Sequence, residues 1–191
     1  MMSQDRKIIA LDIGGVCCSI HPERLIARLN RVPTPDFLEK SRQVESSQIT
    51  EEEFLDVFDA YTDRKFSRSE LIDLWNLCLG PSIPGMADAV RSVLAHGYSF
   101  AYLSDTSTVH IREFFRRNDF CHLSIGGVFS FEVGAMKPDE RMYREFERRF
   151  GVPEVYFDDR IVNIEGARKL GWNAVHFHSA EDFTRFFECL R

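Results

Sequence analysis

The chain has 191 residues, 44% of them hydrophobic, and a formal net charge of −6 from 24 basic and 30 acidic side chains. That is enough apolar material for one packed core and a modest second lobe, and it argues against a disordered chain. The acidic balance speaks against a general nucleic-acid binder, which needs a basic face, and no apolar run approaches the ~20 residues that span a bilayer. Small anionic substrates stay open, because one bound cation or one lysine reverses the sign locally. The start, Met1 to Lys7, shows no signal-peptide pattern. Five cysteines, odd in number and irregularly spaced, make no disulfide framework and fit a reducing cytoplasm, with Cys17-Cys18 expected as buried filler.

Ile8-Ile9-Ala10-Leu11 is a continuous apolar run, the pattern of a buried parallel strand, and it ends abruptly at Asp12 with Gly14 and Gly15 behind it. In open α/β sheets the carboxyl ends of the strands form the ligand crevice, which places Asp12 on a pocket rim. From about Cys17 to Ile83 the periodicity is helical. Leu25, Ile26 and Leu29 form a stripe, then Phe37 and Leu38. Thr50 with Glu53 and Ser67 with Glu70 have the spacing of capping boxes ahead of further apolar stripes, and Gly80-Pro81 is expected to stop the last helix. This reads as an all-helical insert over the pocket strand.

Strands and helices then alternate. A helix over Pro84–Ala95 precedes a strand over Tyr98–Leu103 that ends in Ser104-Asp105. A helix over Val109–Arg117, a short strand over Val128–Phe131, a loop to Lys137 and a helix over Asp139–Phe150 follow. Val155–Phe157 is a strand ending in Asp158-Asp159, Ile161–Leu170 a helix, Ala174–Phe177 a strand. The last helix opens on Ser179 and Asp182 and carries Phe183, Phe186, Phe187 and Leu190 inward. Such alternation implies a Rossmann-like, three-layer α/β core around a mainly parallel five-stranded sheet.

Asp12, Ser104 and Asp158-Asp159 thus stand at the carboxyl ends of strands, and Lys137 stands just ahead of Pro138 and a helix. All can converge on one sheet edge, with Asn163 four residues after Asp159 to support it. The set suits phosphoryl transfer through a carboxylate. A carboxylate attacks an anionic phosphate poorly unless a hard divalent cation on oxygen ligands and a lysine offset the repulsion. Each group also has an ordinary explanation. Asp158-Asp159 can be a turn and helix cap, Ser104 a strand-end cap, and Lys137 a surface lysine. His176 and His178 share a strand face; a metal role is open to them, but a place away from the pocket, at an edge or on the surface, is expected. Phe54, Phe58 and Trp75 are expected in the core of the insert.

The four stretches Leu11-Asp12-Ile13-Gly14-Gly15-Val16, Leu103-Ser104-Asp105, Met136-Lys137-Pro138 and Phe157-Asp158-Asp159-Arg160-Ile161-Val162-Asn163, in this order and spacing, resemble the four motifs of the haloacid dehalogenase (HAD) superfamily. The resemblance covers nearly the whole chain. It implies a core of residues 1–16 and 84–191 with a small helical cap of the first class (C1-type) at 17–83, similar to bacterial sugar-phosphatase-like members. It also implies Asp12 as nucleophile. Mg²⁺ is then held by Asp12, the Gly14 carbonyl, Asp158 and Asp159, with Asn163 behind them. Ser104, Asp105 and Lys137 hold the phosphate of a small substrate.

Two positions depart from the family pattern. Most of its phosphatases carry a second Asp two residues after the nucleophile, as general acid and base; here Gly14 stands there. Acyl or anomeric sugar phosphates, whose leaving oxygens need less protonation, are then the favoured substrates. Asp105 adds a negative charge beside the phosphate position; it is a candidate to replace the missing acid, but the expectation is that it faces solvent or caps a helix. Two other functions stay open on this scaffold: hydrolytic dehalogenation of a haloacid, which needs no metal, and a weakly active or inert binding or regulatory protein.

Overall fold

The structure, a computed structural model, describes residues 7–189; Leu190 and most of the stretch ahead of the first strand lie outside them. Strand β1 (Ile8–Leu11) is the first element of the described residues, and every one of its residues is buried. After the turn at Gly14-Gly15 comes β2 (Cys18–Ile20), then helices α1 (Pro22–Leu29), α2 (Pro35–Glu45), α3 (Glu51–Tyr61) and α4 (Arg68–Trp75), a 3-10 turn at Asn76–Cys78, and β3 (Leu79–Ser82). The remaining chain runs α5 (Met86–Ala95), β4 (Ser99–Ser104), α6 (Thr108–Arg117), a 3-10 turn at Asp119–Leu123, β5 (Gly127–Phe129), α7 (Ser130–Val133), α8 (Glu140–Phe150), β6 (Val155–Asp158), α9 (Ile161–Lys169), β7 (Ala174–His176) and α10 (Glu181–Cys189).

The sheet order is β5-β4-β1-β6-β7, and every pair in it is parallel. The chain starts in the middle, winds out through β4 and β5, then returns to the other side through β6 and β7. The reversal falls at β1, so the crevice of this sheet opens at the carboxyl end of β1, where Asp12 stands. Leu11 is level with Tyr102 and with Phe157, which brings the ends of β4 and β6 alongside it. Alternation along the strands separates two cores. Ile9, Leu11, Phe100, Tyr102 and Phe157 pack on α5, α6 and α10. Ala10, Ala101, Leu103 and Tyr156 pack on α8 and α9. The chain is thus a three-layer α/β fold.

The insert has its own aromatic core, in which Phe37, Phe54, Phe58, Tyr61 and Trp75 cluster and Phe37 stacks on Tyr61 at 4.3 Å between centroids. Both capping boxes form: Thr50 with Glu53 opens α3, and Ser67 with Glu70 opens α4. The insert is not wholly helical, however. Its two ends, β2 and β3, pair antiparallel as a ribbon at its root. Gly80-Pro81 therefore lies inside a strand, and α4 has already ended at Trp75. Neither strand has a readable period in so few residues. Only their meeting makes them strands, and Gly80 permits it, since a Cβ there would overlap Ser19 Oγ and the His21 ring.

Elsewhere the boundaries shift for local reasons. Gly85 at φ +80° delays α5 to Met86. The edge strand β5 ends at Phe129, because Ser130 turns into the short α7, where its hydroxyl bonds both the N–H and the carbonyl of Thr106. Among the described residues no helix is long and apolar enough to cross a membrane.

Candidate active site

Asp12 leaves β1 with only 6% of its surface exposed. Its backbone N–H still follows the sheet, donating to Phe157 O at 3.0 Å. Its Oδ1 accepts the N–H of Ile13 at 2.7 Å and pairs with Lys137 Nζ at 3.0 Å, while Oδ2 has no partner among the described residues. Lys137 arrives on the segment between α7 and α8, its backbone N–H held at 2.9 Å by Asp105 Oδ1. Its ammonium reaches Asp158 Oδ2 at 2.7 Å and Leu103 O at 2.9 Å, using all three donors. It is a buried lysine, not a surface one.

Asp158, at the end of β6, is wholly buried and heavily bonded. Lys137, the Tyr156 hydroxyl, the Arg160 N–H at 2.8 Å and the Asn163 amide at 3.0 and 3.1 Å all donate to it. Burial works against its charge, but Lys137 and these donors outweigh that and hold its carboxyl below the usual range. Asn163 therefore supports Asp158, not Asp159 as its spacing suggested, and its own Oδ1 is buried without a partner. Tyr156 was missed from the sequence; it lies two residues before Asp158 on the same strand face, a signal that strand alternation already carries.

Asp159 is the free carboxylate. Its side chain has no hydrogen-bond partner among the described residues, while its backbone carbonyl accepts from His176 Nε2 at 2.7 Å. His176 thus braces the site instead of lying apart from it. Oxygens of Asp12, Asp158 and Asp159 come within 4.8 Å of one another. Gly15, at φ +75°, is what lets Asp159 in: a Cβ there would overlap the Asp159 carboxylate.

The electrostatics are short of positive charge. One lysine faces Asp12, Asp158 and Asp105, and burial pushes Asp12 up to about 8 against the pull of Lys137. Burial and then the charge of Asp158 raise Asp159 as well. A second cation would relieve this excess, and the unpartnered oxygens of Asp12 and Asp159 are the hard donors that a Mg²⁺-like ion takes. The residues present therefore fit such an ion.

Above the carboxylates lies a cavity of about 520 Å³ between sheet and insert, within the range for small-molecule sites. Its floor includes Asp12, Ser104, Asp105, Thr106, Asp159 and Asn163; its roof includes Leu25, Phe37, Leu38, Glu45 and Trp75. Of the aromatic residues of the insert, Phe54 and Phe58 stay in its core, and Trp75 reaches both core and cavity. Asp105 neither faces solvent nor caps a helix: Ser107 caps α6, and Asp105 fixes Lys137, leaving Oδ2 buried and unpartnered. At Gly14 the space for a side chain abuts Ile20, whose Cγ1 would lie 3.1 Å from a Cβ. Burial lifts the thiols of Cys17 and Cys18, the latter to about 12, so both are inert filler.

No family model matches the sequence, and no curated protein matches it. Solved structures do. A HAD family enzyme of Bacteroides thetaiotaomicron, in complex with magnesium and inorganic phosphate, superposes with a TM-score of 0.80 at 20% identity, over 95% of this chain and 99% of that one. A predicted HAD-like family hydrolase of Porphyromonas gingivalis gives 0.80 at 21% identity, over 98% of each chain. A dehalogenase gives 0.62 at 18% identity, over 91% of this chain and 85% of that one. The fold of this chain is the one these enzymes share.

Proposed function

We propose that this chain, built on the HAD fold, is a Mg²⁺-dependent phosphatase that transfers the phosphoryl group of a small metabolite to Asp12 and then to water. The observation that carries the proposal is the unpartnered Asp12 Oδ2 at the cavity floor, beside Lys137 and facing the free carboxylate of Asp159. The magnesium and phosphate bound by the Bacteroides enzyme of the same fold support it.

In this reading Asp12 and Asp159, with the Gly14 carbonyl, hold Mg²⁺. Bound there, the ion neutralises charge between the carboxylate and the phosphate and orients the latter. Asp12 attacks phosphorus, and its direction is set by the Ile13 N–H and by Lys137. Lys137 also places a positive charge beside the transferring group. Ser104, at the end of β4, and the segment at Asp105 and Thr106 supply donors to the phosphate oxygens. Asp158 acts through Lys137, since its oxygens are already occupied. The insert is the cap, and it shields the reaction from water and sizes the substrate. The acidic cluster argues against hydrolytic dehalogenation, which has no use for three carboxylates and a cation.

The test is a panel of phosphate esters and acyl phosphates, assayed with Mg²⁺ and with chelator, with Asp12→Asn as control. Turnover confined to the native chain with Mg²⁺ is expected. A native protein that never exceeds the control on any compound defeats the enzyme reading and leaves a binding protein.

A further inference from the structure

A carboxyl group hangs over this site that the proposed chemistry has not used. Glu45 is the last residue of α2, half-buried, and it lines the cavity opposite Asp12, Ser104 and Asp105. It makes no hydrogen bond or ion pair among the described residues, although Arg42 lies one turn back on its own helix and pairs with Glu39 at 3.2 Å. A carboxylate is also poorly placed at a helix C-terminus, where the backbone dipole is negative. A partnerless acid, on the wrong end of a helix, facing a substrate-sized cavity, has no structural task that explains it.

Its position is held firmly. The residue after next, Ser47, donates its hydroxyl to the Phe131 carbonyl of α7, which ties the end of α2 to the sheet layer. Glu51, the first residue of α3, accepts from Thr108 and Arg112 of α6. Ser41 and Leu38, on the same face of α2, line the same cavity and fix which way that face looks.

We propose, on the phosphatase reading above, that Glu45 is the general acid and base of the reaction, supplied by the insert in place of the Asp that the family pattern puts at Gly14. In the first half, an Asp12 oxygen bonds to phosphorus as the bond from phosphorus to the ester oxygen breaks. The electron pair stays on that oxygen, which takes the proton from Glu45 and leaves as the alcohol. In the second half the Glu45 carboxylate takes a proton from water as the water oxygen bonds to phosphorus. The bond from phosphorus to the Asp12 oxygen breaks, which restores the Asp12 carboxylate and the Glu45 acid and releases inorganic phosphate.

The surroundings put the proton where this needs it. Burial, and next the charge of Asp105 across the cavity, push Glu45 up to about 7 against Arg42. Cys78, whose thiol burial raises to about 11, and His110 of α6, which burial lowers to about 4 and so keeps neutral, line the same cavity. Neither carries charge near neutral pH; Asp12, Asp159 and Arg160 also line the cavity, on the side of the sheet, and Asp12 is itself raised to about 8, so Glu45 is the group of the roof that titrates near neutrality. An acid poised near the working pH both donates and accepts efficiently.

The test compares Glu45→Gln and Glu45→Asp with the native chain, in Mg²⁺, on a simple alkyl phosphate and on acetyl phosphate, whose leaving group needs no proton. Glu45→Gln is expected to lower kcat on the alkyl ester by ~10²–10⁴-fold and to abolish the limb of its pH profile near 7. With acetyl phosphate it still phosphorylates Asp12, and the phosphorylated chain accumulates in the mass spectrum because the second half lacks its base. Glu45→Asp recovers part of the loss. Carboxyl-carbon NMR of the native chain, with the resonance assigned by its loss in Glu45→Gln, is expected to show titration near neutrality. An unchanged kcat on the alkyl ester, or no accumulation of phosphorylated Glu45→Gln chain from acetyl phosphate, overturns the assignment, as does titration of Glu45 in the usual carboxylate range. A native chain inactive on both substrates instead overturns the phosphatase reading itself.

Discussion

Replacing Lys137 by Met tests the electrostatic core of the site. Met matches the length of the lysine stem and keeps its packing, but removes the charge. The ammonium now serves Asp12 at 3.0 Å and Asp158 at 2.7 Å, with both carboxylates nearly or wholly buried. Taking one member from a buried charge cluster costs about 3–5 kcal/mol. In a chain of this length each kcal/mol moves Tm by ~2–4 °C, so a fall of about 10 °C is expected. The pH dependence follows from Asp158. Burial opposes its charge, but Lys137 and its other donors win, so its folded-state pKa is depressed. The stabilisation this confers is complete above the unfolded carboxylate value, ~3.9, and is lost as pH falls through the depressed one. Lys137→Met erases it, so the deficit is full at pH 7, still nearly full at pH 4, and shrinks only as pH falls below that. Urea denaturation of both chains, metal-free, at a series of pH values reads it. A deficit under ~1 kcal/mol at pH 7, or one of undiminished size at about pH 2, would refute the argument.

Two further outcomes bear on the same cluster. Asp12→Asn removes a carboxyl that burial raises to about 8, chiefly against Lys137. A raised folded-state pKa means stability is lost as pH climbs from the unfolded value towards 8. In chelator the variant should therefore match the native chain near pH 4 and exceed it by ~2 kcal/mol or more at pH 8; denaturation curves that coincide at both pH values would count against the buried, undercompensated charge. Gly15→Ala places a Cβ on the Asp159 carboxylate in left-handed backbone. It should cost about 1–3 kcal/mol of stability and remove the heat of Mg²⁺ binding in calorimetry, and undiminished binding would show that Asp159 is not a ligand.

Much of this was open to reading from the residues. The run Ile8–Leu11 ending on Asp12, the strands ending on Ser104 and Asp158, and both capping boxes carry signals that local chemistry fixes: apolar continuity, strand termination and helix-end hydrogen bonding. Those signals are enough to place the fold and to bring Asp12, Lys137 and Asp158 to one edge. The pairing of β2 with β3 was not legible, because three or four residues have no period and Gly80-Pro81 looks like a helix stop until Ser19 and His21 lie against it.

Which group serves which was likewise settled in space. Asn163 turns to Asp158, Asp105 to the Lys137 backbone and His176 to the Asp159 carbonyl, because spacing along a helix or strand limits reach but does not choose a partner. The letters alone determined where each reactive group leaves its strand. The tertiary structure decided the rest: that one lysine is shared by two buried carboxylates, that Asp159 is left without a partner, and that Glu45, distant in sequence, hangs over them. Local preferences act over a few residues, whereas desolvation and charge depend on whatever the folded chain brings within a few ångströms.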